Sequence, residues 1–105
     1  MKGVSILGST GSIGVSTLDV LARHPDKYRV VALSANRDVQ GILAQCREFR
    51  PQLAAMADPG GAKALEQALQ SEGIPTEVMA GAAGLEAVAT HPDASDLMAA
   101  IVGAA

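Results

Sequence analysis

The sequence predicts an α/β domain, a parallel β-sheet with helices on both faces. Three observations predict it. Short runs that are apolar on both faces alternate with stretches of helical periodicity. Proline-marked stops close the helical stretches, at His24-Pro25-Asp26, at Pro51 and at His91-Pro92. A glycine-rich turn, Gly8-Ser9-Thr10-Gly11-Ser12-Ile13-Gly14, joins the first strand directly to the first helix.

Val4 to Leu7 reads as a short strand, apolar on both faces as buried parallel strands are. After the turn a helix is expected over Val15 to Arg23, with Ile13, Thr17, Val20 and Leu21 on one inward face at i, i+4, i+7 and i+8. Tyr28 to Ala35 (YRVVALSA) is a second buried strand, rich in valine. A second helix is expected from Val39 to Phe49. Asp38 is placed to cap it, and Val39, Ile42, Leu43 and Cys46 form its inward stripe.

Leu53 to Ala57 is a weaker third strand, followed by a turn at Asp58-Pro59-Gly60-Gly61. A third helix over Ala62 to Ser71 turns Leu65, Ala68 and Leu69 inward. Gly73 and Pro75 break the chain before an extended piece, Thr76 to Met79. Ala82 to Thr90 reads as a fourth helix and Leu97 to Val102 as a last, apolar strand. Right-handed crossovers place the first three strands in the order 3-2-1, with the last strand beside the first, across a switch point. Ending at Gly103-Ala104-Ala105, straight after a buried-type strand, the sequence is expected to be truncated there, the amino-terminal part of a longer protein.

Composition narrows the partners. At 105 residues the chain is one domain at most, with 49% hydrophobic and 18% charged residues, as in globular proteins. A net charge of -3 with no basic run argues against nucleic acid and anionic membrane. Tyr28 and Phe49 are the only aromatics, too few for a base-stacking platform. One cysteine, Cys46, rules out an internal disulfide and a cysteine-cluster metal site, and its place on an apolar stripe makes it core. No run is long enough to span a membrane, none reads as a signal peptide, and a cytoplasmic location is expected. His24 and His91 stand beside prolines with no partner carboxylates, so neither suggests a metal.

The turn carries the chemistry. Gly8, Gly11 and Gly14 give G-x-x-G-x-x-G, which departs from the G-x-G-x-x-G dinucleotide fingerprint. Its physical parts are nevertheless present. Gly8 can make the tight turn, Gly11 lets backbone approach a pyrophosphate, and Gly14 lets the helix sit close to the sheet. Thr10 and Ser12 add hydroxyl donors at a helix N-terminus that favours an anion. A phosphate loop is excluded, because Ser9-Thr10 stands where Lys-Ser/Thr is required. After the second strand, Asn36-Arg37-Asp38 occupies the place that selects between NAD and NADP. Arg37 can bind a 2′-phosphate and Asn36 can donate an amide, which favours NADP. Asp38 is read as a cap rather than a ribose ligand. No acid–base pair and no metal spacing accompany this cradle.

The stretch ILGSTGSIG, followed by STLDVLARHPDKYRVVALSANRD, closely resembles the start of the 1-deoxy-D-xylulose-5-phosphate reductoisomerase family. QCREFRPQLAAM and the terminal MAAIVGAA share the resemblance, which covers essentially the whole chain. It implies that residues 1–105 form the Rossmann-like NADPH-binding domain at the amino terminus of an enzyme several times longer. That family converts 1-deoxy-D-xylulose 5-phosphate to 2-C-methyl-D-erythritol 4-phosphate, by rearrangement and NADPH-dependent reduction, in non-mevalonate isoprenoid biosynthesis. By position, the resemblance implies that Thr10, Gly11, Ser12 and Ile13 contact the NADPH phosphates, and Asn36 and Arg37 the adenosine 2′-phosphate. Where this chain has Asp38 the family often has asparagine, and an acid there would repel a phosphate. The resemblance also implies Mg²⁺ or Mn²⁺ and a homodimer in the full-length enzyme only, with catalytic and metal residues beyond Ala105 and this piece alone inactive. Two other readings stay open: the nucleotide domain of another NADP-dependent oxidoreductase, such as a semialdehyde dehydrogenase, or a stand-alone nucleotide-sensing module.

Overall fold

Val30 to Ala35 has no solvent face, and the rest of the chain is arranged about it. A computed structural model describes residues 2–99. Nine elements follow in strict alternation: β1 (Lys2–Leu7), α1 (Ser12–Ala22), β2 (Tyr28–Ala35), α2 (Val39–Phe49), β3 (Leu53–Met56), α3 (Pro59–Glu72), β4 (Glu77–Ala80), α4 (Gly81–Ala89) and β5 (Asp96–Ala99). All strand pairs are parallel, in the order β4-β3-β2-β1-β5. The expected Rossmann-like α/β fold is the observed one. The expected strand Leu97 to Val102 is described only as far as Ala99; its remainder and the chain end lie outside the described residues.

Two apolar layers sandwich the sheet. On one side Leu18, Leu21, Ile42, Leu43, Cys46, Leu65 and Leu69 from α1, α2 and α3 meet Val4, Ile6, Val30, Leu33 and Met56. On the other, Val88 and Leu85 of α4 meet Val31, Ala32, Leu53 and Ala55. A bulge in β2 puts adjacent residues on that second side. Val4 pairs with Val30 but Ser5 pairs with Ala32, so Val31 is the extra residue. α4 spans β3, β2 and β1 on its way from one edge strand to the other, which creates the switch point between β1 and β5.

β2 and α2 fall at the expected residues, and Asp38 caps α2 through a 2.9 Å bond from the Gly41 N–H. Three elements depart from expectation. The buried face of α1 is Gly14, Leu18 and Leu21, while Ile13 and Val20 are 47% and 53% exposed. Apolar residues occur on several sides of this helix, so periodicity alone does not choose a face; the close seating of Gly14 on the preceding turn does. The helix also starts three residues before Val15, at Ser12. The second correction concerns α3, which begins at Pro59 rather than Ala62. Proline is preorganised for a first helical position, and Asp58 caps the helix by accepting from the Gly61 N–H at 2.8 Å. The two glycines therefore form its first turn.

β5 also departs from the expected burial. It is an edge strand, and its Leu97 and Met98 are 48% and 43% exposed. With Thr17, Val20, Leu21 and Tyr28 they line an apolar groove of ≈ 510 Å³ beside α1.

Candidate functional site

β1 stops at Leu7 and the chain turns at once. Gly8 adopts a left-handed conformation, φ 72°, which glycine takes without the penalty a β-carbon brings. Its N–H donates to Ser34 Oγ at 3.1 Å, and the Ser9 N–H donates to the Ser34 carbonyl at 2.8 Å. The end of β2 therefore holds the start of the turn. From α2, Gln45 Nε2 donates to the Ser9 carbonyl at 2.8 Å. The Gly11 N–H closes the turn on the Gly8 carbonyl at 3.2 Å.

The three glycines have different reasons to be glycine. A β-carbon on Gly14 would collide with the Gly8 carbonyl oxygen and stand 2.7 Å from the Ser9 backbone, so α1 reaches the turn only because that atom is missing. At Gly11 the nearest atom to a β-carbon would be 3.5 Å away, an ordinary contact, and φ is -74°. Nothing within the fold requires glycine at Gly11. A close approach from outside the fold does explain it.

The start of α1 is left with free donors. No side chain caps it, whereas Asp38 caps α2 and Asp58 caps α3. α4 also lacks a side-chain cap, but no glycine-rich turn leads into it. The N–H groups of Thr10, Ser12 and Ile13 meet no acceptor among the described residues. First-turn donors of this kind, with the positive end of the helix dipole behind them, suit an anion.

A groove of ≈ 430 Å³ opens past the carboxyl ends of the central strands. It is lined by Gly8, Thr10 and Gly11 of the turn, Ser34, Ala35 and Asn36 at the end of β2, Ala57 after β3, and Leu85 of α4. Of the residues singled out in the sequence, Thr10, Gly11 and Asn36 line the groove. Ser12 and Ile13 stand exposed in the first turn of α1. Arg37 follows Asn36 on the surface and makes no ion pair among the described residues. Asp38 is occupied by the Gly41 N–H, and its carboxylate fills the space a β-carbon on Gly41 would need.

Ser34 and Gln45 were not apparent from the sequence. Ser34 leaves a signal, a serine near the end of an otherwise apolar strand and only 1% exposed. Gln45 leaves none, because its partner lies 36 residues away. Cys46 and His91 stand apart from the groove. Burial pushes the Cys46 thiol up to about 11, so it is neutral at physiological pH. His91 Nδ1 accepts the Asp93 N–H at 3.1 Å, within its own turn. Among the described residues no three His, Cys, Asp or Glu side chains gather to hold a metal ion, and no helix is long and apolar enough to cross a membrane.

Known proteins resemble this chain over essentially its whole length. Residues 4–105 match the family model for 1-deoxy-D-xylulose 5-phosphate reductoisomerase. Reductoisomerases of that name from Nitrosospira multiformis and Nitrosococcus oceani are 56% and 58% identical over 105 residues. In each case the match covers 100% of this chain and 27% of the relative, so the chain spans about a quarter of those proteins. A crystal structure of DOX-P reductoisomerase in complex with NADPH, fosmidomycin and magnesium superposes with a TM-score of 0.88 at 33% identity, covering 92% of this chain and 24% of that one. The Zymomonas mobilis enzyme in complex with NADPH gives 0.81 at 39% identity, over 88% of this chain and 24% of that one.

Proposed function

This chain belongs to the 1-deoxy-D-xylulose 5-phosphate reductoisomerase family, and we propose that its part in the family's reaction is to hold NADPH. The observation that carries the proposal is the meeting of two features in one groove. Thr10 and Gly11, beside the free first-turn donors of α1, stand across it from Asn36 at the end of β2. Solved relatives in complex with NADPH support the choice of ligand.

Each residue then has a task. The N–H groups of Thr10, Ser12 and Ile13 bind the pyrophosphate, and Gly11 permits its approach. Asn36 and Arg37 take the 2′-phosphate, Arg37 by charge-assisted bonds. Ser34 and Gly14 hold the turn in shape. When bound there, NADPH would supply the hydride. This chain contributes binding, orientation and no acid–base group, and we propose that rearrangement and reduction of 1-deoxy-D-xylulose 5-phosphate, with its metal ion, depend on residues of the remaining length of such enzymes.

Hydrogen–deuterium exchange on the full-length protein with and without NADPH tests this reading. Protection is expected over residues 8–14 and 36–37. Protection confined to other segments would overturn it.

A further inference from the structure

We propose that Gln45, which does not line the groove, is a positioning residue that aims the Thr10 N–H at the bound anion. The inference rests on the reading of the turn as the NADPH site. It starts from one bond, Gln45 Nε2 to the Ser9 carbonyl at 2.8 Å. That carbonyl and the Thr10 N–H belong to the same planar trans peptide, so they point in opposite directions. Fixing the carbonyl toward α2 turns the N–H away from α2. Thr10 lines the groove, and its N–H meets no acceptor among the described residues.

The rest of the geometry makes the brace specific. Ser34 secures the N–H groups of Gly8 and Ser9, two peptides and one peptide earlier, and the Gly11 N–H is held by the Gly8 carbonyl. The peptide between Ser9 and Thr10 is left to Gln45. The side chain is half-buried, and its Oε1 is buried with no hydrogen-bond partner among the described residues. Among the described residues the amide thus makes one hydrogen bond, the donor bond to the turn. A buried amide oxygen left unsatisfied opposes burial of the side chain, and no packing advantage explains a glutamine at this place better than an apolar residue. Donation to Ser9 does.

The test uses the full-length protein and its Gln45→Met and Gln45→Glu variants, which keep the length of the side chain and remove the donor. NADPH affinity is measured beside that of adenosine 2′-monophosphate, which carries the 2′-phosphate and lacks the pyrophosphate. Both variants are expected to bind NADPH about three- to tenfold more weakly, the size of one lost hydrogen bond, with 2′-monophosphate binding unchanged. Wild-type NADPH affinity in both variants would overturn the brace while leaving the site intact. Equal loss of both ligands would show a general structural role and overturn it as well. If the unsubstituted protein binds the 2′-monophosphate but not NADPH, the reading of the turn itself fails, and the brace with it.

Discussion

Gly14 sits directly against the carbonyl oxygen of Gly8, in a space that no β-carbon could share. That contact sets the rotation of α1, because it forces the helix to present Gly14, Leu18 and Leu21 to the sheet. Gly14→Ala must therefore push α1 off the turn. Overpacking of this kind costs about 1–3 kcal/mol, and denaturant unfolding of the variant is expected to show it. A variant as stable as the parent would mean that the helix is not anchored there.

Gly11 separates folding from binding. Its backbone is open to any L-residue, and serine is as good a cap as glycine or better. Gly11→Ser is expected to keep or slightly raise stability while weakening NADPH, because its side chain occupies the approach of the pyrophosphate. Unchanged affinity in a binding titration would remove Gly11 from the site.

Asp38 caps α2 through one of its carboxylate oxygens. Asp38→Ala should cost about 1 kcal/mol of stability, the usual worth of such a cap. Asp38→Asn keeps the cap and removes a negative charge next to Arg37, so NADPH affinity is expected to hold or rise. A fall in NADH or NADPH affinity with Asp38→Asn would make the carboxylate a ligand.

Cys46 predicts an alkaline effect. Its thiol ionises near 9.0 when unfolded and is pushed up to about 11 by burial when folded. Between these values the folded state holds a proton that the unfolded state releases. The contribution is therefore fully present below pH 9.0 and lost as pH rises toward 11. Wild-type stability should fall faster than that of Cys46→Ala over this window, by at most about 1.4 kcal/mol per pH unit. Parallel pH profiles for the two proteins would contradict the burial.

Much of the fold was legible because local signals agreed with the global arrangement. β2 is apolar throughout, α2 has Asp38 before it and Pro51 after it, and both elements lie where those residues put them. α1 was misread for the opposite reason. Ile13, Val15, Leu18, Val20 and Leu21 offer more than one apolar face, and the choice is made by a tertiary contact at Gly14. In the site, the glycines and Asn36 were visible because conformational need and position in the alternation mark them. Gln45 was not, since a hydrogen bond between α2 and the first turn has no spacing to read.

We propose that the turn after β1 and the residues after β2 hold one NADPH between them, with Arg37 on its 2′-phosphate. Calorimetric titration of NADPH and NADH against the full-length protein and its Arg37→Ala variant tests it most directly. A preference for NADPH is expected in the parent, and a loss of about 1.5–3 kcal/mol for NADPH in the variant, with NADH nearly unchanged. Equal affinities in the parent, or a preference that survives Arg37→Ala intact, would contradict it.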